Sequence, residues 1–151
     1  MSGTCLRVDF YQLSRDPAEA LIPRLAEQTL KAGERLLVVT GDAGQAARIS
    51  QALWAHKPES FLAHGAAGEG DDDRQPILLS DTPEPANGAR FAAFADGIWR
   101  GGARGRFERL FHVFGAETIE AARAAWRELG EDETVERRFW KQEGGRWVEG
   151  P

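Results

Sequence analysis

Cysteine is nearly absent. The single Cys5 has no partner within the chain, so no internal disulfide staples the fold. Long apolar runs are missing as well. Nothing in the 151 residues approaches the roughly 20 apolar residues of a membrane-spanning helix. The opening residues, Met1 to Phe10, include Arg7 and Asp9 and lack an apolar stretch of the secretory kind. A cytoplasmic address is expected, with no membrane contact. A basic surplus is lacking too: the formal net charge is −5. Dedicated duplex-DNA binders draw much of their affinity from neutralised phosphates, so the field of this molecule opposes direct DNA binding. Any work near DNA is expected to go mainly through another protein.

Signatures of catalysis and metal binding are equally scarce. His56, His64 and His112 are scattered, and neither H-E-x-x-H nor C-x-x-C occurs. Asp71-Asp72-Asp73 reads as a solvated acidic loop rather than a magnesium site. Thr40-Gly41-Asp42-Ala43-Gly44-Gln45 follows an apolar run and opens a helix, the place for a phosphate loop. It carries neither the Walker lysine and hydroxyl nor a G-x-G-x-x-G pattern, and reads as a capped turn. No catalytic residue, cofactor or metal is expected.

What is present reads as one α/β domain over 1–151. The apolar share of 42% is enough for a single core at this length. Leu6 to Tyr11 alternates as a strand. Asp16-Pro17 starts a helix that Gly33 stops, with Pro23 acceptable only if it falls in the first turn. Leu36-Leu37-Val38-Val39 is a short unbroken apolar run, as in a strand covered on both faces. Asp42 caps the next helix, with Gln45 at the capping-box position and Ala46, Ile49 and Leu53 as its buried stripe. Pro76 to Leu79, Phe91 to Phe94 and Phe107 to Phe114 are further strands, and Glu117 to Leu129 is a last helix. This alternation predicts a mostly parallel sheet of about five strands. Trp140 and Trp147 lie in a tail with no assigned structure.

Two surfaces stand out. On the last helix, Arg123 and Arg127 sit one turn apart with Trp126 on an adjoining face. That pattern suits a solvated face with ordinary ion pairs, and equally a cationic rim for an anionic partner. Trp54 and Phe61 flank a helix end; spacing alone favours packing in the core. Arg100, Arg104, Arg106 and Arg109, with Trp99 to stack on a base, form the densest basic stretch and offer weak direct binding of single-stranded nucleic acid as an alternative. A small nucleotide-dependent enzyme using the Gly41–Gln45 turn is the other.

The segment Ala52-Leu53-Trp54-Ala55-His56-Lys57-Pro58-Glu59-Ser60-Phe61-Leu62-Ala63-His64 resembles the signature of the chi subunit of bacterial DNA polymerase III. Gln75-Pro76-Ile77-Leu78-Leu79 follows in the family's order. The start, Val8-Asp9-Phe10-Tyr11-Gln12-Leu13, is similar too, as is Phe107-Glu108-Arg109-Leu110-Phe111 with the helix behind it. Ala63 stands where the family often has proline, and residues 82–106 match poorly. The resemblance implies a Rossmann-like three-layer α/β/α domain with no nucleotide-binding loop and no chemistry of its own. It implies a DNA-replication adaptor in the clamp-loader assembly of a DNA-directed DNA polymerase. One surface, at Arg123, Trp126 and Arg127 with Phe114 as floor, is expected to hold the acidic, Phe-terminated tail of single-stranded DNA-binding protein. The other, at Trp54, Pro58 and Phe61, is expected to dock the psi subunit or another clamp-loader component.

Overall fold

The structure, a computed structural model, describes residues 6–56, 62–143 and 146–150. Eleven regular elements follow one another: β1 (Leu6–Gln12), α1 (Ala18–Lys31), β2 (Leu36–Val39), α2 (Ala43–Ala55), β3 (Gly65–Ala66), β4 (Ile77–Ser80), β5 (Phe91–Phe94), β6 (Arg109–Phe114), α3 (Ile119–Leu129), β7 (Val135–Glu143) and β8 (Arg146–Glu149). The strands form one sheet in the order β3-β4-β2-β5-β6-β1-β7-β8. Every neighbouring pair is parallel except β7 with β8. The sheet thus has eight strands where the sequence predicted about five. The additions are the two-residue β3 and the β7–β8 pair, whose charged alternation gives no apolar run to read.

Period-two alternation sorts the strand residues onto two faces. Leu36, Val38, Phe111 and Val113 lie with Leu21, Ile22 and Leu25 of α1 and with Ile49 and Leu53 of α2 in one buried cluster. Val8, Phe10, Leu37, Val39, Leu110 and Phe114 lie with Ala122, Ala125 and Leu129 of α3 in the other. The four residues of β2 are all buried, as an unbroken Leu-Leu-Val-Val run covered from both sides requires. Asn87 ties the long connection after β4 to the sheet. Its amide donates to the carbonyls of Leu36 and Gln75, and its carbonyl accepts from the Ala89 amide.

Two local expectations are corrected. Pro23 is not in the first turn of α1, which begins at Ala18; it sits inside the helix and is buried. Tertiary burial there outweighs the missing backbone hydrogen bond. Asp42 does cap α2, accepting from the amides of Gly44 and Gln45 at 2.9 and 3.2 Å. The Gln45 side chain does not return to the cap, however. It accepts from the Thr40 hydroxyl and donates to the Ala95 carbonyl, joining the ends of β2 and β5.

Candidate functional site

α3 is amphipathic, with Ala122, Ala125 and Leu129 on its buried side and Arg123 and Arg127 exposed. Small alanines bring its axis close to the sheet. This leaves Trp126 half-buried at the margin, where its ring meets Phe10 and Phe139 edge-on at 5.3 and 5.7 Å. Between α3 and the ends of β1, β6 and β7 lies a hollow of about 160 Å³. Phe114 forms part of its floor, Ile119 and Ala122 one wall, and Trp126 and Phe139 the other, with Gln12 and Arg123 contributing polar atoms. The hollow matches one aromatic side chain in size and lining.

Of the four residues expected here, Phe114, Arg123 and Trp126 line this hollow and Arg127 does not. Arg123 pairs with exposed Glu120 at 3.0 Å, an interaction of little strength that a competing carboxylate can replace. Arg127 is exposed and makes no ion pair among the described residues. A third guanidinium was missed. Arg137 of β7 lies over the Trp126 ring at 4.1 Å and donates to the Trp126 carbonyl at 2.6 Å. Gly130 makes room for it, since a Cβ there would meet the guanidinium carbon at 2.7 Å. The available signal was the alternation Val135, Arg137, Phe139, which puts Arg137 on the α3 side once the segment is read as a strand.

The second surface is partly described. Trp54, in the last turn of α2, is 54% exposed, while Pro58 and Phe61 lie outside the described residues. The Trp54 ring rests 4.5 Å from that of His64. His64 fixes the loop: one ring nitrogen, Nδ1, is 2.9 Å from the Leu62 carbonyl and the other, Nε2, is 2.8 Å from the Ser50 hydroxyl. Only an N–H can face a carbonyl, so Nδ1 donates to Leu62, and in the neutral ring Nε2 accepts from Ser50. Trp54 and His64 border a cavity of about 570 Å³ whose other walls include Ala46, Ala47 and Leu79.

The alternative sites fare differently. The Gly41 amide donates to the Asp96 carboxylate at 2.9 Å, and those of Gly44 and Gln45 to Asp42. Amides that would cradle a phosphate are thus already committed to carboxylates. Burial alone would raise the Asp96 pKa, but hydrogen bonds from Arg100 and the Gly41 amide outweigh it and hold the carboxyl below its ordinary value. In the basic stretch every arginine has a carboxylate partner: Arg100 with Asp96, Arg104 with Asp132, Arg106 with Glu84 and Arg109 with Asp9. Trp99 packs on Phe10, Phe94 and His112 as part of the α3-side core rather than waiting for a base. Among the described residues, no group of three or more His, Cys, Asp or Glu is placed to hold a metal ion, and no helix is long and apolar enough to cross a membrane.

A mostly parallel sheet whose strand–helix turn spends its amides on its own carboxylates defines an α/β domain in which no nucleotide-binding loop is seen among the described residues. The sequence model of the family described as DNA polymerase III chi subunit, HolC, matches residues 6–135. The chain belongs to that family. It is 36% identical over 78 residues to the DNA polymerase III subunit chi of Escherichia coli, covering 47% of this chain and 53% of the relative. It is 33% identical over 84 residues to the protein of the same name from Pseudomonas aeruginosa, covering 54% of this chain and 58% of that relative. The chain thus spans about half the length of the curated relatives it matches.

Proposed function

We propose that this protein is a non-catalytic accessory subunit of the DNA polymerase III clamp-loader assembly, acting in cytoplasmic DNA replication as an adaptor. In this reading it captures the acidic, Phe-terminated C-terminal tail of single-stranded DNA-binding protein. The observation that carries it is the ring-sized hollow beside α3. An acidic peptide ending in phenylalanine needs an apolar seat for its ring and a cation for its carboxylates. Phe114, Ile119, Trp126 and Phe139 supply the seat, and Arg123 reaches its edge. Arg127 on the next turn extends the positive rim toward the acidic residues preceding the terminal ring. Arg137 holds Trp126 from behind.

Trp54, with Pro58 and Phe61, docks the psi subunit or another clamp-loader component. The support is an exposed indole beside a cavity large enough to take a partner's side chains. Two separate surfaces on one rigid sheet make a bridge. With α1 and α2 feeding one buried cluster and α3 the other, the domain is read as a single Rossmann-like three-layer unit.

The test is calorimetric titration with the acidic tail peptide, using wild type and the Arg123→Ala/Arg127→Ala double variant. Micromolar affinity, about −8 kcal/mol, is expected for wild type, weakening with salt because the contacts are exposed charges. The double variant should lose it. Absence of binding to folded wild type would refute the tail-capture role.

A further inference from the structure

The face of the sheet opposite α3 carries a second, larger cleft that the proposed function does not use. It holds about 450 Å³, within the size range of small-ligand pockets, and lies between α1 and the β7–β8 pair. Tyr11, Trp140 and Trp147 form its aromatic lining, and Arg24, Arg109 and Arg146 its cationic groups. Trp140 stacks on Tyr11 at 6.2 Å and 12°, while Trp147 meets Tyr11 at 5.3 Å and 84°. Two ring planes therefore stand at a corner. Trp140 is anchored there by its indole N–H, which donates to the buried carboxylate of Asp9 at 3.2 Å. Asp9 also holds Arg109 at 2.9 Å, and Arg109 in turn covers the Phe111 ring at 4.7 Å. Burial pushes the Tyr11 hydroxyl up to about 12, so it stays a hydrogen-bond donor at ordinary pH.

Arg24 and Arg146 are different from Arg109. Both are exposed, they stand on opposite walls, and neither makes an ion pair among the described residues. The neighbouring carboxylates are engaged elsewhere: Glu19 with Arg48, Glu27 with Lys31 and His56, and Glu149 with Arg138. Glu143, opposite Arg146 in the strand register, does not reach ion-pair distance. On a molecule of net charge −5, two guanidinium groups without an ion-pair partner among the described residues, flanking three aromatic rings, make a local site for an anion that carries flat rings. The hollow beside α3 takes a single ring; this cleft has room for a ring with its sugar and phosphate. Trp140, Arg146 and Trp147 lie beyond residue 135, so one wall of the cleft falls outside the stretch that the family model matches.

We propose that this cleft binds single-stranded nucleic acid, seating a base against Trp140 and Trp147 while the flanking phosphates pair with Arg24 and Arg146. Stacking of a base on an aromatic side chain is worth about 1–3 kcal/mol and is tolerant of sequence, so weak, sequence-independent binding is expected. Such a site acts in cooperation with protein contacts, which bring it to the strand.

The experiment is fluorescence anisotropy with a labelled oligothymidylate at low salt, together with quenching of tryptophan emission. Wild type should bind with quenching, and Arg24→Ala/Arg146→Ala should bind at least about tenfold more weakly, with a log–log salt slope shallower by about 1.4. Arg123→Ala/Arg127→Ala should bind the oligomer as wild type does, which separates this site from the tail-binding one. No oligomer binding by folded wild type would overturn the proposal. So would equal affinity of the Arg24/Arg146 variant, or free thymidine monophosphate binding as tightly as the oligomer. Displacement of the oligomer by an acidic peptide that requires Arg24 and Arg146 would reassign the cleft to peptide.

Discussion

His112 is the group whose removal should change this protein most informatively. It sits in the middle of β6 with no exposed surface, enclosed by Phe10, Phe94, Trp99 and Phe114 at ring distances of 5.4 to 6.5 Å. Neither ring nitrogen finds a hydrogen-bond partner among the described residues. Burial drives its pKa down from 6.5 to about 4; Asp96 opposes the shift slightly and Arg100 adds to it. The folded state therefore refuses a proton that the unfolded chain accepts. Its neutral ring is compatible with full stability above pH 6.5, and stability falls as pH drops from 6.5 towards 4. Linkage gives a loss of about 2 kcal/mol by pH 5 and about 3 kcal/mol by pH 4. Urea unfolding of wild type and His112→Leu, each at about pH 7.5 and about pH 5, isolates the effect. Other acid-sensitive groups contribute equally to both proteins. The variant should lose about 2 kcal/mol less on acidification than wild type does. Equal losses within a few tenths of a kcal/mol would refute the assignment of a His112 that stays neutral in the folded state at about pH 5. His112→Phe, which keeps an aromatic ring at the site, provides the same comparison if leucine packs poorly.

Three further outcomes are expected. Asp9→Asn removes the buried charge shared by Arg7, Arg109 and Trp140, and should cost about 3–5 kcal/mol in denaturant unfolding. Gly97→Ala places a side chain at φ +77° with its Cβ only 2.5 Å from the Thr118 hydroxyl; it should destabilise by more than about 1 kcal/mol and lower the melting temperature. Gly130→Ala has an ordinary φ of −66° but drives Arg137 off Trp126, so tail-peptide affinity should fall while thermal stability changes by less than about 1 kcal/mol.

Most of the sheet was legible because its central strands are short apolar runs. Leu36–Val39 and Phe91–Phe94 were located to the residue, and Ile77–Ser80 and Arg109–Phe114 to within two at each end. Burial on both faces leaves no polar residues to blur such a run. β7 was not legible for the opposite reason. In Val135-Glu136-Arg137-Arg138-Phe139-Trp140-Lys141 four of seven residues are charged and of these only Arg137 is stacked on a ring, so composition alone reads as tail. That one omission hid Arg137 behind Trp126, Phe139 in the hollow, and the whole second cleft. The basic stretch failed in another way. Arg100, Arg104, Arg106 and Arg109 read as a patch, but their partners Asp96, Asp132, Glu84 and Asp9 are distributed through the chain and only the fold brings them together.

The position of β1 sets a timetable for synthesis. Its two sheet neighbours are β6 and β7, and the Asp9 contacts to Arg109 and Trp140 close loops of 100 and 131 residues. At about 5–20 residues per second, the first strand leaves the ribosome on the order of ten seconds before its last neighbour exists. β2, β4 and β5 become available well before that, so half of the sheet can assemble with an open flank where β6 and β1 will dock. During that wait Val8, Phe10 and Tyr11 form an apolar strand without a place in the sheet. Chains stalled before residue 109 should therefore need chaperone protection, and refolding of the finished protein should be paced by closure of this long-range pairing.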